Sequence, residues 1–183
     1  MSEEMIVKQC SPTLAGLKTG NMFVCTYMDR SELLKEIRAY NKRLSSKGVR
    51  FIPLRTGGSR ALIYVYRPDR LKKDLADNKT TELLGKKGYP LNSPSGCVSC
   101  LREHIVNDDE FPHEIGLFLG YPPEDVIGFI ENKAGGHKLT GAWKVYGNVK
   151  KAKKTFAGYE KCTRLYEKLG AEGTPIESLA VAG

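Results

Sequence analysis

The sequence predicts an α+β fold, with residues 1–183 in a single domain whose mixed or antiparallel sheet includes a hairpin and is covered by several helices. Three observations lead there. The stretches 49–55 and 60–66 are rich in β-branched and aromatic residues and flank Thr56-Gly57-Gly58-Ser59, the signature of an antiparallel hairpin. Residues 111–132, FPHEIGLFLGYPPEDVIGFIEN, read as a buried strand at 115–119, a turn at Gly120 and a helix opened by Pro122 and Pro123. Ala152, Phe156, Tyr159, Cys162, Tyr166 and Leu169 recur every three or four residues after Asn148, as on one face of a long capped helix ending at Gly170.

The other elements follow in order. Met5, Ile6 and Val7 suggest a short strand leading to a helix with Ser11 as N-cap, Pro12 at its first position and Gly20 at its end. Residues 22–27 read as a strand, and Asp29 or Ser31 caps a helix that buries Leu33, Ile37, Tyr40 and Leu44 and stops at Gly48. Pro53 cannot donate a ladder hydrogen bond, so its strand belongs at an edge or a bulge. Short helices are expected from Pro68 and from Thr80 or Thr81, then a helix over 96–106. Residues 142–146 read as a strand able to pair with 115–119, with Trp143 and Val145 facing one way and Lys144 and Tyr146 the other. Residues 174–177 have capping-box spacing, although 178–182 equally suit a strand.

Five cysteines at irregular spacing argue for reduced thiols, and no apolar stretch approaches the ~18 residues of a membrane span, so a cytoplasmic protein with no membrane partner is expected. The net charge of +8 is regional: residues 30–73 hold thirteen of the 29 basic side chains and three of the 21 acidic ones, and the remainder carries −2. Such a region suits an anionic ligand or nucleic acid, with Arg60, Tyr64, Tyr66 and Arg67 as a stacking platform, yet no RNA-binding motif accompanies it and nucleic acid is not the favoured partner.

Cys10 and His113 form the sharpest candidate site. A cysteine at a helix mouth gains thiolate character, and a histidine at the start of a core strand is placed as a general base. Asp125, Asn148 or another polar side chain would orient it, and nothing in the sequence picks one. Ser11, Thr13, Lys18, Glu114, Lys144 and Tyr146 are the candidate ligand-binding residues around it. Cys97, Cys100 and His104 share a helical face and make a CxxC redox pair or half of a metal site, with no second CxxC to complete one. Gly120 to Pro123 punctuates the chain and carries no phosphate-binding fingerprint, so no cofactor is assigned.

Taken together, KQCSPTLAGLKTGNMF, RALIYVYRPDRL, FPHEIGLFLGYPPEDVIGFIEN, GAWKVYGN and FAGYEKCTRLY resemble, over nearly the whole length, the domain of unknown function 3793, a family of small proteins mostly of anaerobic Firmicutes. Its members often lie in genomes beside flavodoxin and ferrous-iron transport genes, so the resemblance implies an iron or redox context and nothing finer, with a redox protein as one candidate partner beside an anionic ligand. Relatives carry further cysteines before the tryptophan, where this chain has residues 136–142, and usually keep a cysteine like Cys97 without its partner, so the resemblance transfers no thiol role to either place. CSPTLAGLK and HEIGLFLGY also look like the cysteine and histidine segments of papain-like peptidases. The expectation is therefore a cytosolic accessory or binding protein, with a papain-like hydrolase or acyltransferase using Cys10 and His113, and a basic nucleic-acid-binding module, as alternatives.

Overall fold

The computed structural model describes residues 1–182. In chain order the elements are α1 (Glu3–Leu14), β1 (Gly20–Thr26), α2 (Arg30–Leu44) with a 3-10 turn at Ser45–Lys47, β2 (Arg50–Gly57), β3 (Arg60–Tyr66), α3 (Pro68–Leu75), α4 (Asn78–Lys86) and α5 (Pro94–Asn107). There follow α6 (Ile115–Phe118), α7 (Pro123–Glu131), β4 (Leu139–Thr140), β5 (Lys144–Val145), α8 (Val149–Ala171) and α9 (Ile176–Leu179). The class is α+β, as expected. The chain divides into two compact units, one formed by Met1–Arg70 with the described residues from Lys161 onward, the other by Leu71–Glu160.

In the first unit the sheet runs β1-β3-β2, antiparallel throughout, with Gly20 opposite Tyr66 and Arg50 opposite Tyr66 on the other side. Pro53 sits on the edge strand beside a bulge that leaves Leu54 as the extra residue, so the missing donor disturbs no second ladder. Phe23, Cys25, Phe51, Ala61, Ile63 and Val65 share a core with α1, α2 and α9. Asp29 caps α2 by accepting the Glu32 N–H, and Gly48 ends the following turn in the left-handed region that favours glycine.

Two expectations fail here for the same reason. Met5, Ile6 and Val7 lie inside α1, which begins at Glu3 behind the Ser2 cap, so Ser11 is not an N-cap and Pro12 lies within the helix. Ile6, Val7, Cys10 and Leu14 line one helical face in the core, and that burial outweighs the ~3 kcal/mol of an interior proline. The segment 174–182 gives α9 and no strand.

In the second unit, 115–119 is the helical turn α6, not a strand. A short continuous apolar run does not distinguish the two by period, and all four residues of α6 are buried. β5 consequently pairs with β4, through Leu139 opposite Val145, and not with 115–119. Trp143 and Val145 do face inward, into a cluster with Ala152 and Phe156. Asn148 caps α8 through Lys151 N–H, and Ser93 caps α5 through Gly96 N–H. Among the described residues no helix is long and apolar enough to cross a membrane.

Candidate functional site

A cavity of about 290 Å³ opens in the second unit between α6, α7 and the β4–β5 ribbon. Its walls are largely aromatic. Tyr121 stacks on Trp143 with ring centroids 4.8 Å apart, and Trp143 meets Phe156 edge-on at 4.6 Å. His113 presents its ring edge-on to Phe129 at 5.0 Å, and Lys144 Nζ lies 5.7 Å from the centre of the same phenyl ring. Lys144 gives one of its three donors to Ala134 O at 2.9 Å.

Asp125 builds this wall. It lies in the first turn of α7, where a carboxylate suits the helix dipole, and is 3% exposed. Its Oδ2 accepts the indole N–H of Trp143 at 2.7 Å, while Oδ1 accepts the backbone N–H groups of Tyr146 and Gly147, each at 2.7 Å. One carboxylate thus fixes both the tryptophan and the end of β5. Its oxygens are spent on the scaffold, and the Asn148 Oδ1 is spent on the α8 cap, so neither of these two named orienters is left for a catalytic histidine.

A second constellation lies on α5 and the segment before α6. Cys100 Sγ is 3.6 Å from His104 Nε2, and His104 Nδ1 is 3.4 Å from Glu114 Oε1. Glu114 is fully buried, accepts the Tyr89 hydroxyl at 3.0 Å and meets Lys87 Nζ at 3.1 Å. Burial pushes its carboxyl up, but its backbone N–H, Lys87 and Tyr89 together outweigh burial and hold it below the ordinary range. Tyr89 is pushed far up by burial and by the Glu114 carboxylate it faces. Among the described residues no three His, Cys, Asp or Glu side chains converge to hold a metal ion.

The family model for the protein of unknown function (DUF3793) matches residues 6–180. The chain belongs to this family. No curated protein and no solved structure matches the DUF3793 chain.

The remaining expected site residues of the DUF3793 chain divide between the units. Cys10 is fully buried in mid-helix, away from any helix mouth, and burial drives its thiol far above the usual value, with Lys18 only partly opposing. His113 belongs to the second unit, on the cavity wall. Each of the pair is thus accounted for by its own surroundings. Ser11 donates to Val7 O, as helix-interior serines do, and Thr13 donates to Asn21 Oδ1 at 2.8 Å. Lys18 is 6% exposed, and burial lowers it to about 8. Tyr146 gives its backbone N–H to Asp125, whereas its hydroxyl is buried without a hydrogen-bond partner. Tyr64 is fully buried against Tyr66, and Arg67 is 3% exposed with its donors on main-chain carbonyls, so neither faces solvent as a stacking platform requires.

Tyr121, Phe129 and Trp143 escape the sequence reading as site residues, as do Tyr89 and Lys87, and Asp125 enters it only as an orienter of His113, not as the partner of Trp143. The tyrosines sit in turns that read as punctuation, and nothing local ties residue 89 to residue 114. The one available signal was the lone tryptophan beside a lysine at 143 and 144.

Proposed function

We propose that this protein is an accessory binding protein whose ligand is a small aromatic molecule, neutral or singly anionic, held in the cavity of the second unit. The observation that supports this most is the stacked Tyr121–Trp143 wall facing Phe129 and His113 across an apolar space. Ligand cavities commonly measure ~300–1,000 Å³, and one of about 290 Å³ suits one or two fused rings and not a dinucleotide. Lys144 is the cation on the lining, and the Asp125 carboxylate is already shielded by three donors, so charge favours a carboxylate at the rim over an ammonium group.

Trp143 is the sole tryptophan, so fluorescence reports directly on this wall. Titration with 1-naphthoate should quench it saturably. Lys144→Met should weaken that binding, and Val126→Phe, which fills the cavity from α7, should abolish it. Absence of saturable quenching, or quenching indifferent to both substitutions, would overturn the reading.

A further inference from the structure

We propose that Cys100 and Cys97 form a thiol–disulfide exchange pair, with His104 accepting the proton of Cys100 and Glu114 holding His104 in place. The reading rests on geometry separate from the aromatic cavity. The two cysteines are three apart in the first turns of α5, hence on one face, and they differ in access: Cys97 is 1% exposed, whereas Cys100 is partly open to solvent. Exchange chemistry uses that asymmetry, with an accessible thiol that attacks and a sheltered one that resolves.

The proton has a path. Glu114 Oε1 faces His104 Nδ1 at 3.4 Å, which places the ring proton on Nδ1 and leaves Nε2, 3.6 Å from Cys100 Sγ, as the acceptor. Burial, with Glu103, Glu114 and Asp108 facing the sulfur, holds the Cys100 thiol above its ordinary value, so at rest it keeps its proton and needs this acceptor to attack. Glu114 is itself anchored by Tyr89 and Lys87, so His104 has a fixed partner.

The co-substrate is the disulfide of a small thiol, written RS–SR. The Cys100 proton passes to His104, and the sulfur attacks one sulfur of RS–SR. The S–S bond breaks, and the leaving thiolate takes the proton from His104, giving RSH and a Cys100 mixed disulfide. Cys97 then attacks the Cys100 sulfur and expels the second thiolate, which takes up the Cys97 proton as RSH. Two thiols of the protein are oxidised to one disulfide, and RS–SR is reduced to two RSH.

The test is mass spectrometry of the folded, reduced protein after exposure to bis(2-hydroxyethyl) disulfide. Residues 88–102 form a single tryptic peptide holding Cys97 and Cys100 and no other cysteine. In wild type it should lose two hydrogen atoms and carry no adduct. Cys97→Ser should stop at the mixed disulfide on Cys100, and Cys100→Ser should leave Cys97 reduced. His104→Asn should slow the adduct in the Cys97→Ser background by roughly tenfold or more. Circular dichroism checks that each variant is folded. A wild-type peptide that stays reduced, an adduct distributed equally over Cys10, Cys25, Cys162 and Cys100, or a rate indifferent to His104 would overturn the proposal.

Discussion

Glu114 and Arg67 show what single residues contribute to this fold. The Glu114 carboxyl is held below the ordinary range, so on acidification the unfolded chain takes up the proton first. Its contribution is complete above the unfolded value of ~4.3 and is lost as the pH falls through the lower folded value. Denaturation followed from neutral to acid pH should therefore show a smaller loss of stability in Glu114→Gln than in wild type. Arg67 donates to Thr13 O at 2.6 Å, Leu14 O at 2.5 Å, Lys47 O at 3.1 Å and Val181 O at 2.7 Å, so a buried cation sits against the carbonyl end of α1. Arg67→Lys keeps the charge but not the planar fork, and chemical denaturation should register a loss of at least about 2 kcal/mol. Glu114 was legible in the sequence only as a neighbour of His113. Its real partners come from residues 87, 89 and 104, and a local motif carries no information about such distances along the chain.

At the scale of elements, the caps at Asp29 and Asn148 and the punctuation at Pro53 are legible, whereas the Ser11 cap and the apolar runs mislead. Asp29 and Asn148 do cap their helices, and Pro53 does mark both an edge and a bulge, because each is a local constraint of hydrogen bonding. The run at 115–119 looks strand-like because burial of every residue from 115 to 118 erases the periodic signal that separates helix from strand, whereas 5–7 is too short to show that Ile6 and Val7 share a helical face with Cys10 and Leu14. Two helical glycines should respond oppositely to alanine. At Gly128 in α7 a Cβ would come within 2.5 Å of Tyr146 Cγ, near the root of that side chain, so Gly128→Ala should destabilise by about 1–3 kcal/mol in thermal or denaturant unfolding. At Gly158 in α8 a Cβ meets nothing within 4 Å, and Gly158→Ala should stabilise by about 0.5–1 kcal/mol in the same measurement.

Across the whole molecule, the uneven charge visible in the sequence acquires a location. The first unit holds 16 basic and nine acidic residues, net +7, and the second 13 and 12, net +1. With Tyr64 and Arg67 turned inward, that excess should give only diffuse attraction to polyanions. The expected result is retention on an anionic matrix at low salt without saturable binding of a short single-stranded oligonucleotide at ~50 mM salt. The α+β class was legible because hairpin, amphipathic helices and punctuation are written locally. The division into two units was not, because it depends on the end of the chain returning to its beginning. Ile176, Leu179 and Ala180 lie in the same core as Ile6 and Leu14, and Val181 bonds to both Leu14 and Arg67. During synthesis, residues 71–160 are therefore all available while the unit that began first still lacks part of its core. Until residues 176–181 leave the ribosome, the part of that core which Ile176, Leu179 and Ala180 cover stays open to water, an apolar face exposed during synthesis.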